Sequence, residues 1–292
     1  VSNAISTVVA APRTRSRFRR LTAIATAAIV AFVAIGSIRQ PSGPANGISL
    51  TPCDKHVEGA STPEMTSHRF RLATFNIHGG KGRDGHVDLS RTASCLQRFD
   101  IVGLNEVHGA WLLPSPDQAH QLADDLDRDF LFAPTERRWW HYDFGNAVLS
   151  SMPTQSWRRV PLPHCDAKSY RNFIELTFDV HSHPVHVIVT HLERGARADR
   201  TAQWHEATTR FLELSKPAVL MGDMNMTPDE PLMRELLADG EIIDALSNLP
   251  AGRPEDRIDW ILVRGLKCLD RGSIDIGASD HPCYWVECEV RR

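Results

Sequence analysis

"VLMGDMNMTPDE", residues 219–230, runs apolar to Gly222, then sets Asp223 and Asn225 two positions apart before Pro228 and two acids. A short apolar run closed by glycine reads as a buried strand. Residues two apart on an extended chain point to the same face, so Asp223 and Asn225 leave the strand side by side. Pro228 and the acids behind it read as a helix start. The plain reading of such a pair is a helix cap by Asp or Asn. Thr227 already stands where a cap is needed, so the pair is open to other work.

The same grammar repeats on both sides. "RLATFNIH" (71–78), "DIVGLNEV" (100–107), "DFLFAP" (129–134), "NAVLSS" (146–151), "VHVIVTH" (185–191), "RIDWILV" (257–263) and "CYWVECEV" (283–290) read as strands. "NFIELTFDV" (172–180) alternates cleanly, with Ile174, Leu176, Phe178 and Val180 on one face. Helices are expected over "VDLSRTASCLQRF" (87–99) and "SPDQAHQLADDLD" (115–127), and where Trp204, Ala207, Phe211 and Leu214 form one stripe. Two sheets packed face to face with helices outside would use this inventory, giving one domain over 69–292.

The formal net charge of -3 hides an asymmetry, because residues 1–38 hold five arginines and no acid. The remainder is acidic, which argues against nucleic-acid binding by overall charge but leaves room for a local basic groove. The basic segment 1–20, ending in "RTRSRFRR", precedes the uncharged "LTAIATAAIVAFVAIGSI" (21–38). That order predicts export, either with 21–38 as a membrane anchor or with a signal cleaved near Ala34-Ile35-Gly36. The first alternative leaves the body of the chain membrane-anchored outside the cytoplasm; the second makes it secreted or periplasmic. Arg19-Arg20 loosely resembles a twin-arginine signal. Residues 39–68, rich in Pro, Gly and Ser, read as a linker. The six cysteines show no zinc spacing and are either disulfide-bonded or buried thiols.

Other polar residues sit where strands end. Asn76 and His78 share a face, with two glycines following; taken alone, a turn Asn and a surface His explain them. Val102, Leu104 and Glu106 share a face, and a carboxylate continuing an apolar row needs a partner or a cation. Asp259 lies inside a strand between Ile258 and Trp260, His191 closes another, and Asp280-His281 open the last. With Asp223 and Asn225 they would bring to one end of a β-core two or three carboxylates, two amide oxygens and, His78 aside, two histidines. An oxygen-rich set without cysteine suits Mg²⁺ or Mn²⁺ better than Zn²⁺.

The ordered pieces "FNIHGG", "LNEV", "GNAVLS", "VTHLE", "GDMN", "RIDWIL" and "SDHP", spread over 72–282, resemble the endonuclease/exonuclease/phosphatase superfamily of deoxyribonuclease-I-like metal phosphoesterases. The resemblance implies an α/β (α+β type) four-layer sandwich, with two central mixed β-sheets flanked by helices. It implies that His281 is the base or electrostatic partner at the phosphate and that Asp259 orients it. Glu106 would be the main metal ligand, assisted by Asn76, with Asp280 positioning a water or a metal. Asp223 and Asn225 would orient the attacking water and bind a phosphate oxygen. His191 would stabilise the phosphate or protonate the leaving oxygen. Arg171, in "SYRNFIEL", and His78 would face the substrate phosphate. His78 stands where some DNA-repair members have an acid, which sets the chain outside that branch. Asn105 stands before Glu106 where many relatives have Gln.

Substrate stays open, because fold alone does not settle it. One reading is an exported nuclease, in which Trp139 and Trp140 of "ERRWWHYDFGN" (136–146) stack bases. Another is a phosphodiesterase or phosphatase acting on lipid head groups or small esters. A third is an inactive binding module, whose signature would be a lost catalytic residue; none is lost. No protein partner is implied.

Overall fold

The computed structural model describes residues 14–36, 39–54, 68–110, 116–137, 142–249 and 255–290. In chain order the elements are α1 (Thr14–Gly36), β1 (Gln40–Pro41), β2 (Ala45–Gly47) and β3 (Arg69–Asn76), then a 3₁₀ turn (His78–Gly80). Next come α2 (Leu89–Leu96), β4 (Ile101–His108), α3 (Gln118–Leu126), β5 (Asp129–Arg137) and β6 (Phe144–Ser150). They are followed by β7 (Thr154–Pro161), β8 (Asn172–Val180), β9 (His183–His191), α4 (Arg197–Glu213) and β10 (Ala218–Asp223). The chain closes with α5 (Pro231–Leu237), β11 (Ile243–Asp244), β12 (Asp259–Arg264), β13 (Leu266–Ile274) and β14 (Cys283–Val290).

The strands form two mixed seven-stranded sheets, ordered β1-β5-β6-β4-β3-β14-β13 and β11-β12-β10-β9-β8-β7-β2. Their inner faces make the main core, where the alternating row Ile174, Leu176, Phe178 and Val180 meets Leu72, Ile101 and Val148. The outer face of the first sheet packs on α2 and α3 through Phe75, Val102, Leu104, Leu96 and Leu122. The outer face of the second packs on α4, whose stripe Trp204, Ala207, Phe211 and Leu214 is buried as its spacing predicts. This is the four-layer sandwich.

Some boundaries differ from expectation. Residues read as a linker pair with both sheets: β1 lies against β5 and β2 against β7. β7 and β13 carry too many polar residues to alternate cleanly; β13 is an edge strand and holds a bulge between Cys268 and Asp270. α5 begins at Pro231 instead of Pro228, with Glu230 as the residue before it. None of the six cysteines forms a disulfide.

The anchor reading of 21–38 is not supported. Among the described residues no helix is long and apolar enough to cross a membrane. Arginines occupy the first turns of α1, and alanines and threonines dilute the rest. Trp139 and Trp140 lie outside the described residues.

Candidate active site

Four rows of the inner core run into one polar cluster at one end of the sandwich. On β9 the row Val185, Val187, Val189 ends at His191; on β10, Val219 and Met221 end at Asp223. β12 runs the other way and begins at Asp259, ahead of Ile261 and Val263. The register sets Asp223 level with His191 on one side and Asp259 on the other. From the facing sheet, Leu72 leads to Asn76 at the end of β3. The geometry follows from strand period and pairing alone: the last inward position of each strand is polar, and the ends coincide.

Glu106 breaks this simple rule. Val102 and Leu104 face outward to the helices, so strict alternation would send Glu106 there too. The pairing of β4 with β6 slips between Leu104 and Val107, and Glu106 adopts φ +56. That bulge turns its carboxylate to the site, where Oε1 accepts a hydrogen bond from Asn76 Nδ2 at 3.1 Å. The sequence expectation of a shared face is corrected here; the left-handed residue moves Glu106 off it.

Asn76 Nδ2 also donates to Asp223 Oδ2 at 3.1 Å, joining two carboxylates from opposite sheets. Its Oδ1 accepts the His78 backbone N–H at 3.1 Å, leaving one lone pair for another partner. His281 Nδ1 donates to Asp259 Oδ2 at 2.7 Å, which leaves Nε2 facing Asp223 Oδ2 at 3.9 Å. Asp223 Oδ1 accepts the Asn225 backbone N–H at 2.9 Å, while Asn225 Nδ2 donates to the Leu192 carbonyl at 2.9 Å. Asp280 and His78 stay at the rim: Asp280 Oδ1 lies 3.5 Å from His78 Nδ1 and accepts from Ser279 Oγ at 3.1 Å.

Arg171 approaches His191 instead of the open mouth. Its Nη1 donates to His191 Nδ1 at 3.0 Å, and its Nε lies 3.6 Å from Glu193 Oε2. A guanidinium can only donate, so His191 carries its proton on Nε2, 3.4 Å from Asp223 Oδ2. Burial, then the charges of Arg171 and His281, hold His191 well below its usual pKa. Neutral His191 is a hydrogen-bond donor. Sequence reading noted Asn105 beside Glu106 without giving it a role, and missed Glu193, Asn146 and Asn172. Asn105 Oδ1 accepts the Asp223 N–H at 3.0 Å, and its Nδ2 donates to Asn146 Oδ1 at 2.8 Å and the Thr190 carbonyl at 3.1 Å. Asn146 in turn donates to Asn172 Oδ1 at 3.0 Å. Their only sequence signal is an amide inside an apolar strand.

A divalent cation fits this donor set. Asp223, Asp259 and His281 bring ligand atoms within 4.8 Å of one another, and Glu106 joins them through Asn76. Asp259 Oδ1 is buried with no hydrogen-bond partner. Burial and the Asp259 charge push the Asp223 carboxyl up to about 7, the mark of negative charge lacking compensation. Burial would lower His281, but the hydrogen bond and charge of Asp259, with Asp223 and Asp280, raise it to about 9.

Both groups hold protons more tightly folded than unfolded, so metal-free stability should fall as pH rises through these pKa values. Asp223 contributes the loss between 3.8 and about 7, and His281 between 6.5 and about 9. From pH 5.5 to 9 the thermal midpoint without metal should drop by on the order of 10 °C. Mg²⁺ should restore more of it at pH 8.5 than at 5.5. A midpoint that stays flat, with no pH-dependent gain from Mg²⁺, would contradict this electrostatic picture.

Two facing mixed sheets with a carboxylate-held histidine at their ends define a phosphoesterase fold. The chain belongs to the endonuclease/exonuclease/phosphatase family, whose model matches residues 73–281. A solved member from Beutenbergia cavernae is 26% identical, with TM-score 0.62 over 76% of this chain and 72% of that one. One from Bacteroides vulgatus is 17% identical, with TM-score 0.63 over 76% of this chain and 99% of its own. The human Nocturnin catalytic domain, solved with bound sulfate, is 16% identical, with TM-score 0.59 over 80% and 100%. The last two show the fold alone. No curated protein matches the chain in sequence.

Proposed function

We propose that this protein is an exported, Mg²⁺-dependent phosphodiesterase, with Mn²⁺ as a substitute ion. The observation that carries the reading is the 2.7 Å His281–Asp259 contact beside the Glu106–Asn76–Asp223 cluster. A cation held by Glu106, with Asn76 and Asp223 beside it, would polarise a phosphoryl oxygen and offset its developing charge. His281, when neutral at Nε2, takes the proton of a water aligned by Asp223 and Asn225. Asp259 keeps the Nδ1–H tautomer and stabilises the imidazolium that forms. His191, neutral and protonated on Nε2, suits donation to a phosphate oxygen better than protonation of the leaving group. Asp280 and His78 shape the mouth. Export rests on the order of a basic segment, 13–20, followed by the uncharged stretch 21–38.

Nucleic acid and lipid head groups are the two substrate sources to separate. The full chain, isolated by cell fraction, should hydrolyse bis(p-nitrophenyl) phosphate with Mg²⁺ and stop with EDTA. Nicking of supercoiled plasmid under the same conditions makes it a nuclease; hydrolysis only of the generic diester directs the search to lipid and small esters. Folded protein inactive on both with either ion ends the catalytic reading. Recovery only from cytoplasm ends the export reading.

A further inference from the structure

A second group of ligating side chains lies away from the site and shares no residue with it. The segment before β3 is strapped to β5: Thr51 and Phe130 exchange both backbone hydrogen bonds at 2.8 Å, and Cys53 is buried beyond it. Asp54 follows, and its N–H donates to Asp124 Oδ1 on α3 at 2.9 Å. His120 and Asp124 are one helical turn apart and share a face. The His120 ring is stacked on Phe130, with centroids 4.9 Å apart and planes at 12°. Strap, helix and strand therefore hold three donors in place.

The distances identify what they suit. His120 Nε2 lies 3.4 Å from Asp54 Oδ1 and 3.5 Å from Asp124 Oδ2. That nitrogen is shielded from solvent and has no hydrogen-bond partner. A charge-assisted N–H···O bond would close to about 2.7–2.9 Å. In a tetrahedral zinc site, ligands about 2.0–2.1 Å from the metal stand about 3.4 Å from each other. Octahedral Mg²⁺ would bring its ligands to about 2.9 Å. One imidazole and two carboxylates suit a borderline ion, and Asp54, 77% exposed, leaves room for entry and for a water. We propose that His120 Nε2, Asp54 Oδ1 and Asp124 Oδ2 form a three-ligand Zn²⁺ site that pins the N-terminal strap to α3.

The test strips the full chain with chelator, then titrates Zn²⁺ alone and measures retained metal after gel filtration. Wild type should keep one more equivalent than His120→Gln or Asp54→Asn, whose affinity at this site should fall more than about 100-fold. Co²⁺ in place of Zn²⁺ should give tetrahedral visible absorption in wild type that both variants lose. Asp54→Asn preserves the backbone link to Asp124 and sits on the surface, so it decides the matter if His120→Gln fails to fold. Its Mg²⁺-dependent activity should match wild type, which separates this site from the catalytic one. Equal zinc retention and equal Co²⁺ spectra in wild type and Asp54→Asn would overturn the proposal and leave an ion triad around protonated His120.

Discussion

His281→Ala is expected to lower kcat on a phosphodiester by roughly 10²- to 10⁴-fold, the worth of a positioned general base. It should also destabilise the protein. Asp259 is buried, one of its oxygens has no partner, and the other is held by His281 at 2.7 Å. Removing the imidazole strands a buried carboxylate, at a cost of about 3 kcal/mol. Asp259→Asn added to His281→Ala removes that charge, so the double variant should regain most of the lost stability. Its activity should be no better than that of His281→Ala. Asp259→Asn alone should lose activity while His281 remains, because the imidazole loses the acceptor that sets its tautomer. Thermal denaturation of the three variants beside their kcat values checks the scheme. Stability and activity recovering together in the double variant would mean that His281 acts only as a structural counter-ion.

Gly222→Ala should prevent folding, or cost more than about 4 kcal/mol. Gly222 has φ +136, a conformation that side chains rarely adopt, and a Cβ there would stand 1.8 Å from the Thr190 carbonyl oxygen. The same carbonyl accepts the Asn105 amide at 3.1 Å, so it is held from two sides. The clash falls where β9 meets β10, one residue before His191 and Asp223 stand level. Any shift that relieves it pulls the site apart. Gly43→Ala is the control: a Cβ there meets nothing within 4 Å, and stability should change by less than about 0.5 kcal/mol. A stable, cooperative Gly222→Ala protein would show that the glycine is not required by this close approach.

The "GDMN" stretch shows how far residues alone carry. Gly222 ends an apolar run, and the reason lies across the sheet, at Thr190. Asp223 and Asn225 read as a same-face pair; the structure gives Asn225 φ +50 and folds its backbone N–H back onto Asp223. The order of β3–β6, β8–β10, β12 and β14 with helices α2–α4 was legible because rows such as the period-2 face of β8 and the 3.6-residue stripe of α4 leave little choice; β7 and β13 were too polar to read. β1 and β2 were not, because a two- or three-residue edge strand has no period to read.

What the sequence determined by itself is the apolar central strands and which polar residues end them, since both follow from local periodicity and from the cost of burying charge. Which of those residues meet was decided by tertiary structure. Strand order in the sheets brings β9, β10 and β12 side by side although helices and loops separate them in the chain. A single left-handed residue in a bulge turns Glu106 to the face that local alternation denies it. Asp54 reaches His120 only because a backbone pair at Thr51 fixes the strap to the sheet. Side-chain direction is a local property of an ideal strand; at a bulge or a sheet crossing, the neighbouring strands set it.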